Sequence, residues 1–457
     1  MKNLNFKLWL PFSLLGVLFL CIKLSSLGIR ASDTNIYFYT AKELLSGKVL
    51  YKDIFFTNFP LIPYIGALYY LISGGNLLFY YFTASLETLL TAGLIYFLAY
   101  RQSSSRLVAT TTASLYLFSF ILLATTDHQT GVFLATLWIT LSYFFLNHRR
   151  YLLVGVFAAL AMLTKAYSLP LILSMLVFLL LKEPQQVIKF CLGGIMTGFI
   201  VLLPSLLLAR NDLIKDVIFY SLTRSQGLSK SGILVFVFQH DFLFVLILIG
   251  TILMIKKQLF FGLFSLFSIL FFTFYKDVYY LYLNVTLPIL CLAFPVSVEF
   301  LEKKLSLNRF LIPTIIFIAI IYNLATYFSG YNKLQVLPVN ELTKMIHQTK
   351  APVLYGVNGI TPALAYITHK PLLNNIVDTN DNIFRKGYLN ANTLTMDAIK
   401  QHALIVTQGV WYPEQGITQD FMTDIIDTKL VNNNCHVVNR FPFRSEGVIN
   451  SITLSSC

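Results

Sequence analysis

The sequence predicts a mostly α fold: a polytopic membrane helix bundle with interfacial helices, followed by a C-terminal α/β domain. Three observations carry this reading. The 457 residues are 56% apolar and only 12% charged, where a soluble domain carries roughly 25% charged residues. Apolar runs of roughly 17–25 residues, the length that crosses a bilayer, recur along the chain. After residue 328 the composition turns polar, and helix-like and strand-like stretches alternate.

About eleven spans are expected from this pattern. They lie near 7–27, 78–99, 108–124, 130–147, 151–164, 169–181, 190–208, 239–255, 258–274, 281–300 and 310–328. The first begins in KNLNFKLWL and shows no small-x-small cleavage site before Asp33, so it reads as a retained helix rather than a removed leader. The division is 1–328 for the membrane domain and 329–457 for the tail.

The net charge of +13 invites a nucleic-acid reading, but the basic residues do not form one patch. Lys2, Lys7, Arg101, Arg106, Arg149, Arg150, Lys182, Lys189, Lys256, Lys257, Lys303, Lys304 and Arg309 fall in alternate short breaks between spans. The opposite short breaks, near 125–129 and 165–168, hold only Lys165. That asymmetry is the positive-inside pattern. It places the N-terminus in the cytoplasm of a cell (inner or plasma) membrane and, with an odd span count, the tail outside.

Two outer segments are too long to be plain loops. Residues 28–77 hold an amphipathic piece, NIYFYTAKELLSGK, and a proline-anchored aromatic piece, NFPLIPYIGALYYLISGG. Both read as helices lying at the interface. Residues 209–238 form the second outer segment and carry Arg210, Lys215, Arg224 and Lys230.

Cys21, Cys191 and Cys291 fall inside apolar spans, where a thiol behaves as a small core residue. Cys435 and Cys457 lie in the tail; in an oxidising compartment they can pair, and two free thiols fit the sequence equally well. No CxxC, HExxH or other tight metal-ligand spacing occurs.

On this topology Asp33, Lys52, Asp53, Asp127, His128, Lys165, Arg224, Lys276 and Asp277 all reach the outer face from separate loops. Carboxylates and cations converging at one membrane surface are the parts of an acid/base site beside an anion clamp. Each has a plainer alternative. Asp33 suits an N-cap for the following helix, and Asp127 a cap for the fourth span. His128 can face the headgroups. Lys165 can snorkel from an apolar run. Asp53 serves equally as an acceptor contact or a turn residue. Tyr279 and Tyr280 read as interfacial belt residues. Inside the second span, Glu87 calls for a partner, and Lys23 is the expected one.

The stretch SDTNIYFYTAKELLSGKVLYKDIFFTNFPLIPY resembles the first outer loop of the GT-C membrane glycosyltransferases, in which an Asp follows span one and a Tyr-x-Asp and a Pro-anchored aromatic segment come after it. The family often carries a second Asp after span three, similar to TTDHQ here, and a run ending in Lys at the outer surface, similar to GVFAALAMLTKAYS. The tail stretch ALAYITHKPLLNNIVDTNDNIFRKG resembles extracytoplasmic domains of related transferases.

The resemblance implies transfer of one sugar from a polyprenyl-phosphate donor to a cell-envelope glycan, lipid or protein acceptor. It implies Asp33 and Asp127 as catalytic carboxylates, and Lys165, Arg224, Lys52 and Lys276 as donor-phosphate contacts. Tyr51, Asp53 and His128 are expected as acceptor contacts or supporting groups. Some relatives use a divalent metal and others do not, so the metal requirement stays open. Many relatives read Asp-Glu where this chain has Asp33-Thr34. The aminoarabinose transferases carry a Lys and an Arg where Phe59 and Ile36 stand here, which disfavours that donor.

The residues also bear on rival classes. A transporter or lipid flippase requires charges deep in several spans or helices broken near the midplane, whereas the charges here collect at one face. A non-catalytic envelope assembly factor predicts that the outer carboxylates tolerate substitution.

Overall fold

The computed structural model describes residues 6–224, 227–255, 258–295, 297, 311–412, 417–420, 434–445 and 448–457. Four helices among them are long and apolar enough to cross a membrane: Leu8–Ser25, Leu77–Ser103, Pro184–Leu208 and Leu311–Phe328. Shorter apolar helices, Val132–Asn147, Tyr151–Thr164, Ala166–Lys182 and Leu259–Phe274, fill the bundle between them. Their outward faces expose leucine, isoleucine and phenylalanine, as a lipid-facing surface does. Lys2, Lys256, Lys257, Lys303, Lys304 and Arg309, part of the orientation argument, lie outside the described residues.

Two expected spans are broken rather than continuous. The run at 108–124 divides into helices Arg106–Leu117 and Phe120–Thr125. Farther on, Lys230–His240 and Phe242–Ile252 meet at 106°, although residues up to 238 read from sequence as an outer segment. One buried carboxylate serves both breaks: Asp241 accepts from the Ser119 hydroxyl, the Ile121 and Phe244 amides and the Asn323 side chain. It satisfies backbone donors that a helix break frees in an apolar medium.

Helix starts follow ordinary capping. Asn76 accepts from the Phe79 amide at 3.0 Å, and Asn390 from the Thr393 amide at 2.9 Å. Tyr151–Thr164 crosses Pro184–Leu208 at backbone contact. A Cβ on Gly155 would collide with the Phe190 carbonyl, and one on Gly193 with the Leu152 carbonyl. Small residues permit this approach, which seats the helix that ends at Lys165.

The 28–77 segment forms the two expected helices, Thr34–Leu45 and Leu61–Ile72. The tail holds helices Val339–Gln348, Thr361–Thr368 and Ala391–Lys400 and a sheet. Its strands are β1 (Leu354–Gly356), β2 (Leu404–Tyr412), β3 (Ile417–Asp420), β4 (His436–Ser445) and β5 (Val448–Ser456). The order is β1-β2-β5-β4, with β3 also on β2; only the β1–β2 pairing is parallel. The β4–β5 register sets His436 against Ser456, so Cys435 and Cys457 meet at the sheet's end and form a disulfide.

The tail shares a core with the 28–77 segment. Ile36, Phe38 and Tyr80 pack in one cluster with Leu342, Leu364, Leu404 and Ile452. Phe38 meets Tyr366 edge-on at 4.7 Å, and the Asn35 amide donates to the Gly359 carbonyl at 2.7 Å. Residues on both sides of 328 therefore bury the same apolar surface.

Candidate active site

A cavity of about 430 Å³ lies where the interhelical segments of one end of the bundle meet the tail. Asp33, Lys165, Arg224, Asp277 and Asp378 all line it.

Asp33 precedes the Thr34–Leu45 helix, but its side chain makes no capping bond. Its backbone is already helical (φ −59°, ψ −18°), whereas a capping residue is usually extended. Ser32 Oγ accepts from the Thr34 amide at 3.3 Å instead, leaving the Asp33 carboxyl to the cavity. Asp33 is open to cavity solvent yet deep in the protein's volume. Burial is the largest influence on it and pushes its pKa up; Lys165 and Arg224 pull the other way, and Asp277 pushes up.

Lys165 ends the Tyr151–Thr164 helix and is buried. Its Nζ donates to the Tyr37 hydroxyl at 3.1 Å and reaches Asn58 Oδ1 at 3.5 Å. Burial lowers its pKa to about 8, against the raising effect of Asp33. Arg224 pairs with Asp277 at 2.8 Å, and its buried Nε has no partner. Burial opposes the Arg224 charge, but Asp277 and the neighbouring tyrosines outweigh it and hold the guanidinium above its ordinary pKa.

His128 lines the cavity, and its Nδ1 is buried without a hydrogen-bond partner. Burial drives its pKa to about 3, so the ring is neutral near pH 7. Among the described residues no cluster of three or more His, Cys, Asp or Glu could hold a metal ion.

The other candidates stand elsewhere. Asp127 is absent from the cavity lining: its carboxylate is 2.7 Å from Lys23 and 3.4 Å from Arg30, and accepts from Ser26 and Tyr327. These partners occupy the carboxylate that the sequence offered for catalysis. Lys23 therefore pairs with Asp127 and not with Glu87. Glu87 instead accepts from the Tyr69 hydroxyl at 2.7 Å and the Gln129 amide at 2.9 Å, because the Leu61–Ile72 helix folds back against the Leu77–Ser103 helix.

Lys52 and Asp53 lie at an exposed turn, where Asp53 accepts from the Val49 amide at 2.8 Å. Asp53 is a turn residue, the plainer of its two readings. Tyr51 (φ +69°) points inward and donates to the Asn58 carbonyl at 2.7 Å, supporting a cavity residue from behind. Lys276 is exposed beside Asp277, which turns in. Tyr279 and Tyr280, read as belt residues, line the cavity.

Sequence reasoning missed Asp378 and Asn358. Both come from the tail, where no charge pattern marks them; the stretch NNIVDTNDN holds Asp378, and Asn358 lies outside it.

A family profile described as dolichyl-phosphate-mannose-protein mannosyltransferase matches residues 58–207. Among solved structures, ArnT from Cupriavidus metallidurans in the apo state superposes with a TM-score of 0.67 at 14% identity, covering 96% of this chain and 97% of that one. The same protein bound to undecaprenyl phosphate gives 0.62 at 12% identity, covering 97% of each. This chain shares the fold of ArnT. No curated protein sequence matches it. The matched stretch includes Asp127, His128 and Lys165, whereas Asp33, Arg224 and Asp378 fall outside it. The cavity residues are thus brought together by the whole fold and not within the matched stretch alone.

Proposed function

We propose that this chain is an integral-membrane glycosyltransferase that moves one sugar from a polyprenyl-phosphate donor to a hydroxyl of a cell-envelope acceptor. One observation carries the reading: Asp33 shares a cavity at the end of the bundle with Lys165 and Arg224, its two principal cationic neighbours. The matched family's description names a lipid-phosphate sugar donor, and one ArnT structure holds a lipid phosphate.

The donor phosphate is taken by Lys165 and by the guanidinium of Arg224, whose planar fork suits phosphate oxygens. Asp33 accepts the proton of the acceptor hydroxyl as its oxygen attacks the anomeric carbon. The bond from that carbon to the phosphate oxygen breaks with inversion. Polyprenyl phosphate leaves with the electron pair, its charge met by the two cations. The raised pKa of Asp33 makes it a better base than an ordinary carboxylate. Lys165 and Arg224 also border a smaller cavity of about 30 Å³ with Phe59, Ala166 and Val217.

In this reading the cavity is extracytoplasmic. The basic breaks on the other face support the orientation, as does the tail disulfide, a bond that persists in oxidising compartments.

The test is release of free polyprenyl phosphate from a panel of polyprenyl-phosphate sugars. Purified protein is supplied with native membrane extract as acceptor and run beside Asp33→Asn. Release that falls about 10²–10⁴-fold in the variant is expected. Equal activity in the two proteins removes Asp33 from the chemistry.

A further inference from the structure

We infer that Asp378, with Asn358, Asn380 and Asn382, forms a subsite through which the C-terminal domain binds a neutral sugar ring by its neighbouring hydroxyls. The inference rests on the transfer reaction proposed above and names the chemistry of what enters that cavity.

All four residues line the cavity, and all come from the tail. Asn358 lies just past the carboxyl end of β1, the strand paired in parallel with β2. In α/β sheets ligands gather at such strand ends. The loop carrying Asp378 is held in place from within. Thr379 donates to the Gly356 carbonyl at 2.7 Å, and Asn380 Oδ1 accepts from the Asn382 amide at 3.0 Å. The loop and the helix after it are clamped to the bundle by Tyr388, whose ring packs on Tyr220 at 5.4 Å and Phe55 at 6.3 Å. This is a preformed wall, not a loose flap.

Asp378 is only 8% exposed. Among the described residues it has no ion-pair partner, and its contacts are the Asn380 amide at 3.0 Å and the Asn358 side chain at 3.5 Å. A buried carboxyl so thinly satisfied is costly unless something else completes it. Asp33 is the charge felt most by Asp378 and also by Lys165. The proposed base therefore shares one cavity with both the cations and the amide wall, as a sugar reaching from phosphate to recognition groups requires.

One carboxyl among several primary amides both donates and accepts, which matches adjacent hydroxyls. A second anionic group on the ring would face Asp33 and Asp378 after the lipid phosphate had occupied both cations, and like charges exclude it.

The experiment uses the full chain in detergent or nanodiscs. Donors are polyprenyl-phosphate sugars carrying a neutral hexose, a uronic acid or an amino sugar, with native membrane extract as acceptor. Wild type is compared with Asp378→Asn, a near isostere, and with Asn382→Ala, whose side chain makes no hydrogen bond among the described residues. Undecaprenyl phosphate binding is measured alongside.

The expected result is preference for the neutral hexose and a rise of about tenfold or more in KM in both variants, with undecaprenyl phosphate binding unchanged. A rise confined to the donor KM assigns the subsite to the transferred sugar; one confined to the extract assigns it to an acceptor sugar. Wild-type KM values in both variants overturn the inference and leave the transfer reaction standing. Preference for the uronic acid or the amino sugar overturns the hydroxyl chemistry. No release by wild type from any donor overturns the transfer reading together with the subsite.

Discussion

The Lys23 ammonium lies 2.7 Å from the Asp127 carboxylate, and both side chains are almost completely buried. Arg30 joins them at 3.4 Å, and its guanidinium also donates to the backbone carbonyls of Ser26, Asn332 and Leu334. This cluster ties the first helix, the 126–131 loop and the entry to the tail at one point.

Removing one partner of a buried ion pair leaves an uncompensated charge, at a cost of about 3–5 kcal/mol. Asp127→Ala should therefore lower thermal stability in detergent, with Lys23→Met added to it recovering part of the loss. An Asp127→Ala protein that unfolds like wild type but has no transferase activity would return Asp127 to the chemistry.

Lys165 gives a pH signature. Its pKa stands at about 8, lowered by burial, with Asp33 and Asp277 raising it and Arg224 lowering it. The ammonium proposed to meet the donor phosphate is present below that value and lost above it. Transferase kcat/KM for the donor should then fall as pH rises through about 8, since that ratio reports the free enzyme. Lys165→Arg, charged throughout, should flatten this limb even where its absolute activity is lower. An unchanged alkaline limb in that variant would assign the titration to another group.

Gly155 tests how the bundle holds that lysine. Any Cβ there meets the Phe190 backbone, so Gly155→Leu forces two helices apart and displaces the end of the helix where Lys165 stands. Overpacking of this kind typically costs about 1–3 kcal/mol. We expect a lower unfolding temperature together with a raised donor KM. Gly198, with open space around its Cβ position, is the control; Gly198→Leu should change neither.

The disulfide closes a loop with a sequence separation of 22 residues. A loop of that size stabilises by about 3 kcal/mol in the chain-entropy account. Reduction, or Cys435→Ser, should lower the unfolding temperature of the tail. Alkylation without reductant should modify neither Cys435 nor Cys457; ready alkylation of both would place them as free thiols.

Several features were legible because they are local. Spans, interfacial helices and the polar tail follow from composition and period, and Asp33, Lys165 and Arg224 follow from charges stranded beside apolar runs. The broken helices were not legible. Asp241 is a single acid within an apolar stretch, and only the fold brings Ser119 and Asn323 to it.

By itself the sequence determined a polytopic membrane bundle, the face on which its charges collect, and the residue types available there. Only the tertiary structure decided which of those charges share a cavity. Asp33 and Asp127 look alike in sequence, each an acid at a span's end. Lys23 and Arg30 neutralise one, while the other is left facing Lys165 and Arg224. The tail's Asp378 joins them across more than three hundred residues, because the tail and the 28–77 segment bury a common apolar surface. Local pattern reports how a residue sits against lipid and water; which charge meets which is settled by long-range packing.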